Sequence, residues 1–540
     1  MLRIIFLFFN MCWLFVVGQP TINERYIIDE TTISAFTNVY STDSCYYIGG
    51  IQTSSLGINN LESAWIRYKF DGTIDSLRVI NNDTLGIGFW MTNKIIKTLD
   101  NNFASIAVAD GDNAPQTFLF LKFNEFGDTL LTKYYSEFYI ENLLVGKEPS
   151  TLVQISDSSY FGVVNMQRSD DLRAPTVFFR LSKTGELMFY KIYYGLGTSY
   201  FHILKPYGLV QLEMNRFLIS TSLIHTNGDN DEQRHHTKLL IVDTLGNLID
   251  EYTYWEDTLA MDCNGLTKTM DGGLIYCGRI GRFYPDDDVI GYRGQIIKLR
   301  ADFTLDWKLL IGDYTSNPYI GLRNILTLND SEFVMVGFMK TFEPTDRNQY
   351  GWLIKFNIDG EIIWERKYLK ITQEHLAPNY PLHELYDVDI TSDEGFVMVG
   401  QAINYYEDNG HLYGQKAWLL KTNRFGCLVP GCQLKDIAGE NLPAELDTTK
   451  NPKTKEPDVW LYPNPASHSL YYYHDQENFQ IGKASIYNAQ SEEIQKWDIT
   501  ENKITYEIDI SRLAAGTYFL KVFNLFGETI YAEKFIKISQ

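Results

Sequence analysis

Cysteine is scarce in this chain. Six stand in 540 residues, too few for a small disulfide scaffold. Positive charge is also short. The 47 Lys and Arg face 68 Asp and Glu, a net charge of −21. That deficit excludes a general nucleic-acid or anionic-membrane binder, which needs a basic surface. After residue 18 no apolar run approaches the roughly 20 residues of a transmembrane helix. Catalytic signatures are missing as well: there is no HExxH, no Walker loop and no GxSxG elbow. What the chain has in plenty is aromatic rings, with 36 Tyr, 32 Phe and 10 Trp, beside 39 Gly. A hydrophobic content of 45% supplies a large core, and the ring content favours β-structure.

The N-terminus has the pattern of a secretory signal peptide over residues 1–18. Arg3 precedes an apolar run from Ile4 to Val17, and Val16 and Gly18 are the small residues at −3 and −1. Cleavage there leaves Gln19 first. Cys12 lies inside the run, outside any lipoprotein box.

Residues 19–434 are periodic. A turn motif is anchored at Asp43, Asp100, Asp157, Met214, Asp271, Asp330 and Asp393, with successive spacings of 57, 57, 57, 57, 59 and 63. Three positions on stand Tyr46, Phe103, Tyr160, Phe217, Leu274, Phe333 and Phe396. Seven on, four copies have Gly: Gly50, Gly278, Gly337 and Gly400. A second motif closes its turn at Gly72, Gly127, Gly185, Gly246, Phe303, Gly360 and Gly426. Five before these stand Arg67, Lys122, Arg180, Ile241, Lys298, Lys355 and Lys421. Met214, Ile241 and Phe303 are the exceptions. An Asp opening a turn accepts backbone N–H bonds, and a Gly two on supplies positive φ. The basic residue is expected at a strand end, solvated or paired.

Each unit holds four strands; in the sixth they read Asn324–Leu328, Phe333–Phe338, Trp352–Asn357 and Ile362–Tyr368. Seven such units make an all-β, seven-bladed β-propeller. The segment Thr391-Ser392-Asp393-Glu394-Gly395-Phe396-Val397-Met398-Val399-Gly400 is the clearest copy, and the array resembles propeller repeats common in exported Bacteroidetes proteins. The seventh unit lacks an outer strand, so Arg25 to Asp29 is expected to supply it as a clasp. The Thr391–Phe396 turn is also similar to the Asp-box of sialidases, itself a structural turn. No Arg-Ile-Pro segment starts the arginine set such an enzyme needs, so the similarity speaks for the fold and not the activity.

Residues 435–459 have linker composition, with Pro, Thr, Lys and Glu and few large apolar residues. From Trp460 the chain alternates in short strands. Ile504, Tyr506, Ile508 and Ile510 share one face, and Tyr518, Leu520 and Val522 repeat the pattern, as in a small immunoglobulin-like β-sandwich of about seven strands. Residues 460–540 carry an ordered motif set. It begins with Leu461-Tyr462-Pro463-Asn464-Pro465, passes through Leu513, Gly516 and Tyr518, and ends at Lys534-Phe535-Ile536-Lys537. The set resembles the type A C-terminal sorting domain of the type IX secretion system of Bacteroidetes. The resemblance implies two partners, the outer-membrane translocon and a sortase-like peptidase. It also implies delivery across the outer membrane or to the cell surface. Asn488-Ala489-Gln490-Ser491 departs from the family, which has a Gly in that turn.

Cys427 and Cys432 flank Pro430-Gly431 and are expected to pair. Cys263 and Cys277, on adjacent strands, are candidates for a second pair, which would leave Cys45 a buried thiol. No CxxC pair marks a zinc site. No cofactor is predicted, although the acidic loops Asp110–Asn113, Asp229–Glu232 and Asp286–Asp288 could hold calcium. His235, His236, His375 and His383 read as loop histidines.

Two loop classes share one face of such a propeller. The loops between second and third strands carry more acids than bases. Those joining blades are aromatic, offering Trp90, Tyr139, Tyr200, Trp255, Tyr319 and Tyr380. An acidic, aromatic face suits a glycan or a protein ligand. The expectation is therefore an exported binding module. The alternative is a glycosidase-like hydrolase with paired carboxylates at the propeller axis.

Overall fold

In the computed structural model the described residues are 19–26, 32–54, 61–80, 86–89, 94–111, 114–135, 143–168, 174–194, 202–213, 215–226, 233–254, 259–282, 292–312, 319–340, 348–371, 381–403, 414–428, 459–462, 466–474, 481–488, 492–499, 505–524 and 529–538. The signal peptide and the linker lie outside them. The chain divides into two compact units, 1–426 and 427–540. Among the described residues no helix is long and apolar enough to cross a membrane.

The first unit is a seven-bladed β-propeller. Six blades span 32–80, 86–134, 143–193, 202–254, 259–311 and 319–368, each a sheet of antiparallel strands in sequence order. In blade two the first strand is split into Gly86–Gly88 and Ile96–Lys97. Blade seven takes Leu382–Ile390, Phe396–Ile403 and Gln415–Thr422, and its fourth strand comes from the N-terminus. That strand is Ile22–Tyr26, and it pairs antiparallel from Ile22↔Lys421 to Tyr26↔Ala417. The clasp is thus shifted three residues towards the N-terminus from its expected position, because Ile22 joins the core shared by blades one and seven. Asn23 fixes it further by accepting Trp418 Nε1–H at 2.8 Å.

The aromatic position three after each anchor is core. Tyr46, Phe103, Tyr160, Phe217, Leu274, Phe333 and Phe396 are all buried. Apolar residues on both strand faces pack between neighbouring blades, as in the cluster of Ile275, Cys277, Ile296 and Ile320 with Met335, Trp352 and Ile354.

In four blades the two sequence motifs meet as one ion pair. Lys122 reaches Asp100 at 2.6 Å, Arg180 reaches Asp157 at 2.6 Å, Lys298 reaches Asp271 at 2.7 Å and Lys421 reaches Asp393 at 3.1 Å. Burial opposes ionisation of Asp271, but the Lys298 and turn hydrogen bonds outweigh it and hold the acid at about 2. Met214 and Ile241, which replace the acid and the base, fall in the same blade, so the two charges are lost together. The turn geometry differs from the expected one. Positive φ falls one residue after the Asp, at Asn101, Ser158, Gly272 and Glu394, and not at the Gly two on. Gly395 is needed for space: a Cβ there would stand 2.3 Å from the Thr422 carbonyl oxygen.

The second turn seats on the preceding blade. Outer-strand hydroxyls donate to its carbonyls, from Tyr135 to Gly185 at 2.7 Å, Tyr193 to Gly246 at 2.5 Å, Tyr254 to Phe303 at 2.6 Å and Tyr368 to Gly426 at 2.6 Å. Phe303 keeps the left-handed backbone of the Gly it replaces, at φ 63°.

Cys263 and Cys277 are free thiols, contrary to expectation. Cys263 stands opposite Gly278 and Gly265 opposite Cys277. The two side chains therefore enter different cores, one on each face of the sheet. Cys45 is also a buried free thiol. Cys427 is disulfide-bonded, and its partner lies outside the described residues. Three of the histidines expected in loops sit on strands: His235 and His236 in Gln233–Asp243, and His383 in Leu382–Ile390. His375 lies outside the described residues. His383 is fully buried. Its Nε2 accepts from the amides of Lys370 and Ile371, both at 3.1 Å, so Nδ1 carries the proton towards the Gln349 carbonyl at 3.0 Å. Burial pushes this imidazole down to about 4.

The second unit is a β-sandwich. A three-stranded sheet holds Val459–Tyr462, Ser469–His474 and Thr505–Asp509. A four-stranded sheet holds Glu493–Asp498, Ile481–Asn488, Gly516–Asn524 and Thr529–Lys537. Leu470, Ile486, Ile508, Ile510, Leu520, Val522 and Phe535 form its core.

Candidate functional site

The first strands line the propeller axis. Lys94 of blade two donates to Asn324 of blade six at 3.1 Å, a contact between non-neighbouring blades that crosses the ring. Asn324 also donates to Asp387 of blade seven at 2.5 Å. Asp387 in turn accepts Val39 N–H of blade one at 2.9 Å, and Asn38 accepts Ile95 N–H at 3.1 Å. These side chains tie blades one, two, six and seven together at the axis.

A recurring backbone feature sets this geometry. The first strands of blades one, four, five, six and seven carry a β-bulge at Thr37, Tyr207, Asn264, Arg323 and Tyr386. Blade three has its bulge at Ser150. Each lies six or seven residues before its turn anchor. The extra residue is unpaired and free to take any polar side chain. The recurring Gly of the second strand faces the bulge. A Cβ on Gly278 or Gly400 would stand 1.8 Å from the carbonyl oxygen of Asp262 or Glu384, and one on Gly337 would stand 2.1 Å from that of Gly321. Where Val164 and Thr221 replace the Gly, the facing residue is Pro149 or Pro206.

Asp262 and Glu384 occupy the same position, two before the bulge, in blades five and seven. Asp262 accepts Arg279 Nε–H at 2.6 Å from directly across the sheet. Glu384 accepts Arg323 Nε–H at 2.8 Å, a second bond from Arg323 Nη2, Tyr386 O–H at 3.0 Å and Gln401 Nε2–H at 3.2 Å. Burial works against the charge on each arginine, but the facing carboxylate outweighs it and holds both guanidiniums firmly protonated. Burial, reinforced by Glu384, pushes the Tyr386 phenol well above its ordinary range.

Rings complete the cluster. The Arg279 guanidinium lies 4.4 Å from the Tyr292 ring centre, and that of Arg323 lies 5.3 Å from Phe338. Tyr319 bridges the two rings, at 5.6 Å from Tyr292 and 5.3 Å from Phe338, and is itself exposed. The cluster opens at the start of the first strands, the face expected to bear ligand-binding loops.

Of the expected ligand-face residues, Tyr319 is at this site. Trp90, Tyr139, Tyr200, Trp255 and Tyr380 lie outside the described residues. The same holds for the acidic loops, apart from the strand residues Asp110 and Gly111. Among the described residues no cluster of His, Cys, Asp or Glu has the arrangement of a metal site. Sequence reading missed the bulge residues. Starting the sixth unit's first strand at Asn324 left out Arg323, although the strand begins at Tyr319. The signal was a polar residue recurring at the repeat period inside an apolar strand.

The motifs of the second unit are structural. Tyr462 pairs with Tyr471, and Gly516 pairs with Lys537. Tyr518 stacks on buried Phe535 at 5.6 Å. Lys534 stands opposite Phe519, and Leu513 packs against the core. At the turn that lacks the family's Gly, the Asn488 side chain accepts Glu492 N–H at 2.9 Å. Pro463, Asn464 and Pro465 lie outside the described residues, as does Cys432.

No curated protein matches the sequence. Among solved structures, the chain is similar to an ulvan lyase of polysaccharide lyase family PL25. They share 7% identity over 77% of this chain and 99% of that one, with a TM-score of 0.47. It is also similar to the β-propeller domain of the Trilobed protease from Pyrococcus furiosus, at 10% identity over 73% and 98% of the two chains, with a TM-score of 0.36. A Hadza microbial sialidase, Hz136, matches at 12% identity over 58% of this chain, with a TM-score of 0.37; the match spans 65% of that sialidase. Residues 460–538 match the family described as the secretion system C-terminal sorting domain. The chain therefore carries a type IX sorting module, and its destination is the cell surface or the medium beyond it.

Proposed function

We propose that the propeller is an exported binding module whose ligand, a glycan, enters at the axial mouth formed by blades five to seven. The observation that carries this reading is the state of Glu384. Arg323, Tyr386 and Gln401 all donate to it, so its oxygens are committed to holding the site together. Asp262 is likewise held by Arg279. Carboxylates used in this way position other groups; a glycosidase needs one of them protonated and another free to attack. The exposed Tyr319 ring beside half-buried polar groups suits the face of a sugar.

The second reading is a glycosidase-like hydrolase. It is favoured by the Tyr386–Glu384 hydrogen bond at 3.0 Å, which sets a phenol against a carboxylate. The raised proton affinity of Tyr386 works against its use as a nucleophile. A glycan array probed with the purified full chain, run beside a glycoside-hydrolysis assay, separates the two. Retention without turnover is the expected result. Hydrolysis abolished by Glu384→Gln, with no stable retention, would replace the first reading with the second.

A further inference from the structure

Resting on that reading, we propose that the ligand is an anionic saccharide, with its carboxylate or sulfate group seated between Arg279 and Arg323. Both guanidiniums are fixed from behind. Asp262 and Glu384 have 8% and 11% of their side chains exposed, against 29% and 33% for Arg279 and Arg323. The negative groups are the buried ones, and the positive groups meet solvent.

Each arginine is held mainly by the Nε edge. Nη1 and Nη2 of Arg279, and Nη1 of Arg323, have no hydrogen-bond partner among the described residues. The continuous ring contacts Tyr292–Tyr319–Phe338 link the two guanidiniums, and Arg279 works against the charge on Arg323. An anion placed between them relieves that repulsion and takes up donors that no described residue occupies. The planar fork of a guanidinium matches two-oxygen groups such as carboxylate and sulfate. Tyr292, Tyr319 and Phe338 run as a ring layer alongside, giving the sugar face a surface beside the charge.

The four charged groups sum to zero, and the chain as a whole carries −21. Recognition here is local. It comes from donor geometry at short range and not from a basic field drawing in any polyanion.

The test uses the full secreted chain on an array of uronate and sulfate-ester glycans beside neutral counterparts, including oligogalacturonate and its methyl ester. The expected result is retention of anionic members, with the methyl ester at least about tenfold weaker than the free acid. Arg279→Gln should weaken retention by about tenfold or more. If that variant lowers the thermal midpoint, the double variant Arg279→Gln with Asp262→Asn removes both charges of the pair and asks the same question in a folded chain. Equal retention of acid and ester, or no effect of either variant, would overturn the anion inference and leave glycan binding standing. No retention of any member would overturn both.

Discussion

Asp393 and Asp330 hold the same place in the repeat but do different work. Lys421 and Asp393 form an ion pair that is essentially buried, and Asp393 also accepts the Gln19 amide at 2.7 Å. Asp330 is exposed, and its blade pairs Lys355 with Glu332 instead, at 3.1 Å. Asp393→Asn leaves a buried ammonium uncompensated and should cost about 3 kcal/mol in chemical denaturation. Asp330→Asn should cost less than about 0.5 kcal/mol. Equal effects would show that the motif Asp acts through its turn alone. His383 gives a second residue-scale prediction. Its folded proton affinity is depressed to about 4 by burial, so the neutral ring is favoured in the fold. The unfolded chain takes up the proton first as pH falls. The stability His383 contributes is complete above pH ~6.5 and is lost as pH drops through ~4, about 3 kcal/mol in all. Comparing His383→Gln with the parent chain by denaturant titration between pH 7 and 4 isolates this term. The variant's loss of stability over that window should be smaller by about that amount.

At the scale of the strand, the bulge and the glycine facing it form one device. The bulge in the first strand pushes its carbonyl against the second strand, where a side chain has no room. That is why Gly278, Gly337 and Gly400 recur and why Arg323 and Tyr386 lie on bulges at the axis. The turn glycines and core rings were legible in the sequence because each answers to a local demand repeated at a fixed period. The bulges were not, because one inserted residue breaks the alternation by which strands are read. The clasp strand is the other element with a measurable consequence. Ile22–Tyr26 joins the two ends of the propeller, almost 400 positions apart, through its ladder with Gln415–Thr422, through Asn23 to Trp418 and through Arg25 to the Gly414 carbonyl at 2.9 Å. Removing residues 19–26 should lower the thermal midpoint by about 10 °C. An unchanged midpoint would mean that blade seven closes without it.

At the scale of the whole chain, the sorting motifs and the axial cluster fall in separate units. The sandwich holds the sorting motifs in its own core, with Phe535 and Leu520 buried and Tyr518 stacked against Phe535. The propeller holds the axial cluster. Deleting residues 460–540 should therefore leave a folded propeller that stays in the periplasm, seen by cell fractionation and protease resistance. A truncated chain found outside the cell would show that the module is dispensable for export. Destination was readable because sorting motifs are contiguous runs such as Leu461–Pro465 and Glu533–Ile538. The candidate site was readable only as a face. Its members come from positions 262, 279, 292, 319, 323, 338, 384, 386 and 401, spread over blades five to seven.

The sequence by itself determined the all-β class, the seven-fold period, the ring in each blade's core and the C-terminal sorting unit. Each follows from short-range pattern: turn residues, alternation and repeat spacing. Only the tertiary structure decided which charges meet. It put Cys263 and Cys277 on opposite faces of one sheet, turned two separate motifs into an ion pair, and brought Arg323 to Glu384 from a neighbouring blade. Such contacts depend on register and on ring closure, and neither quantity is written in any one stretch of the chain.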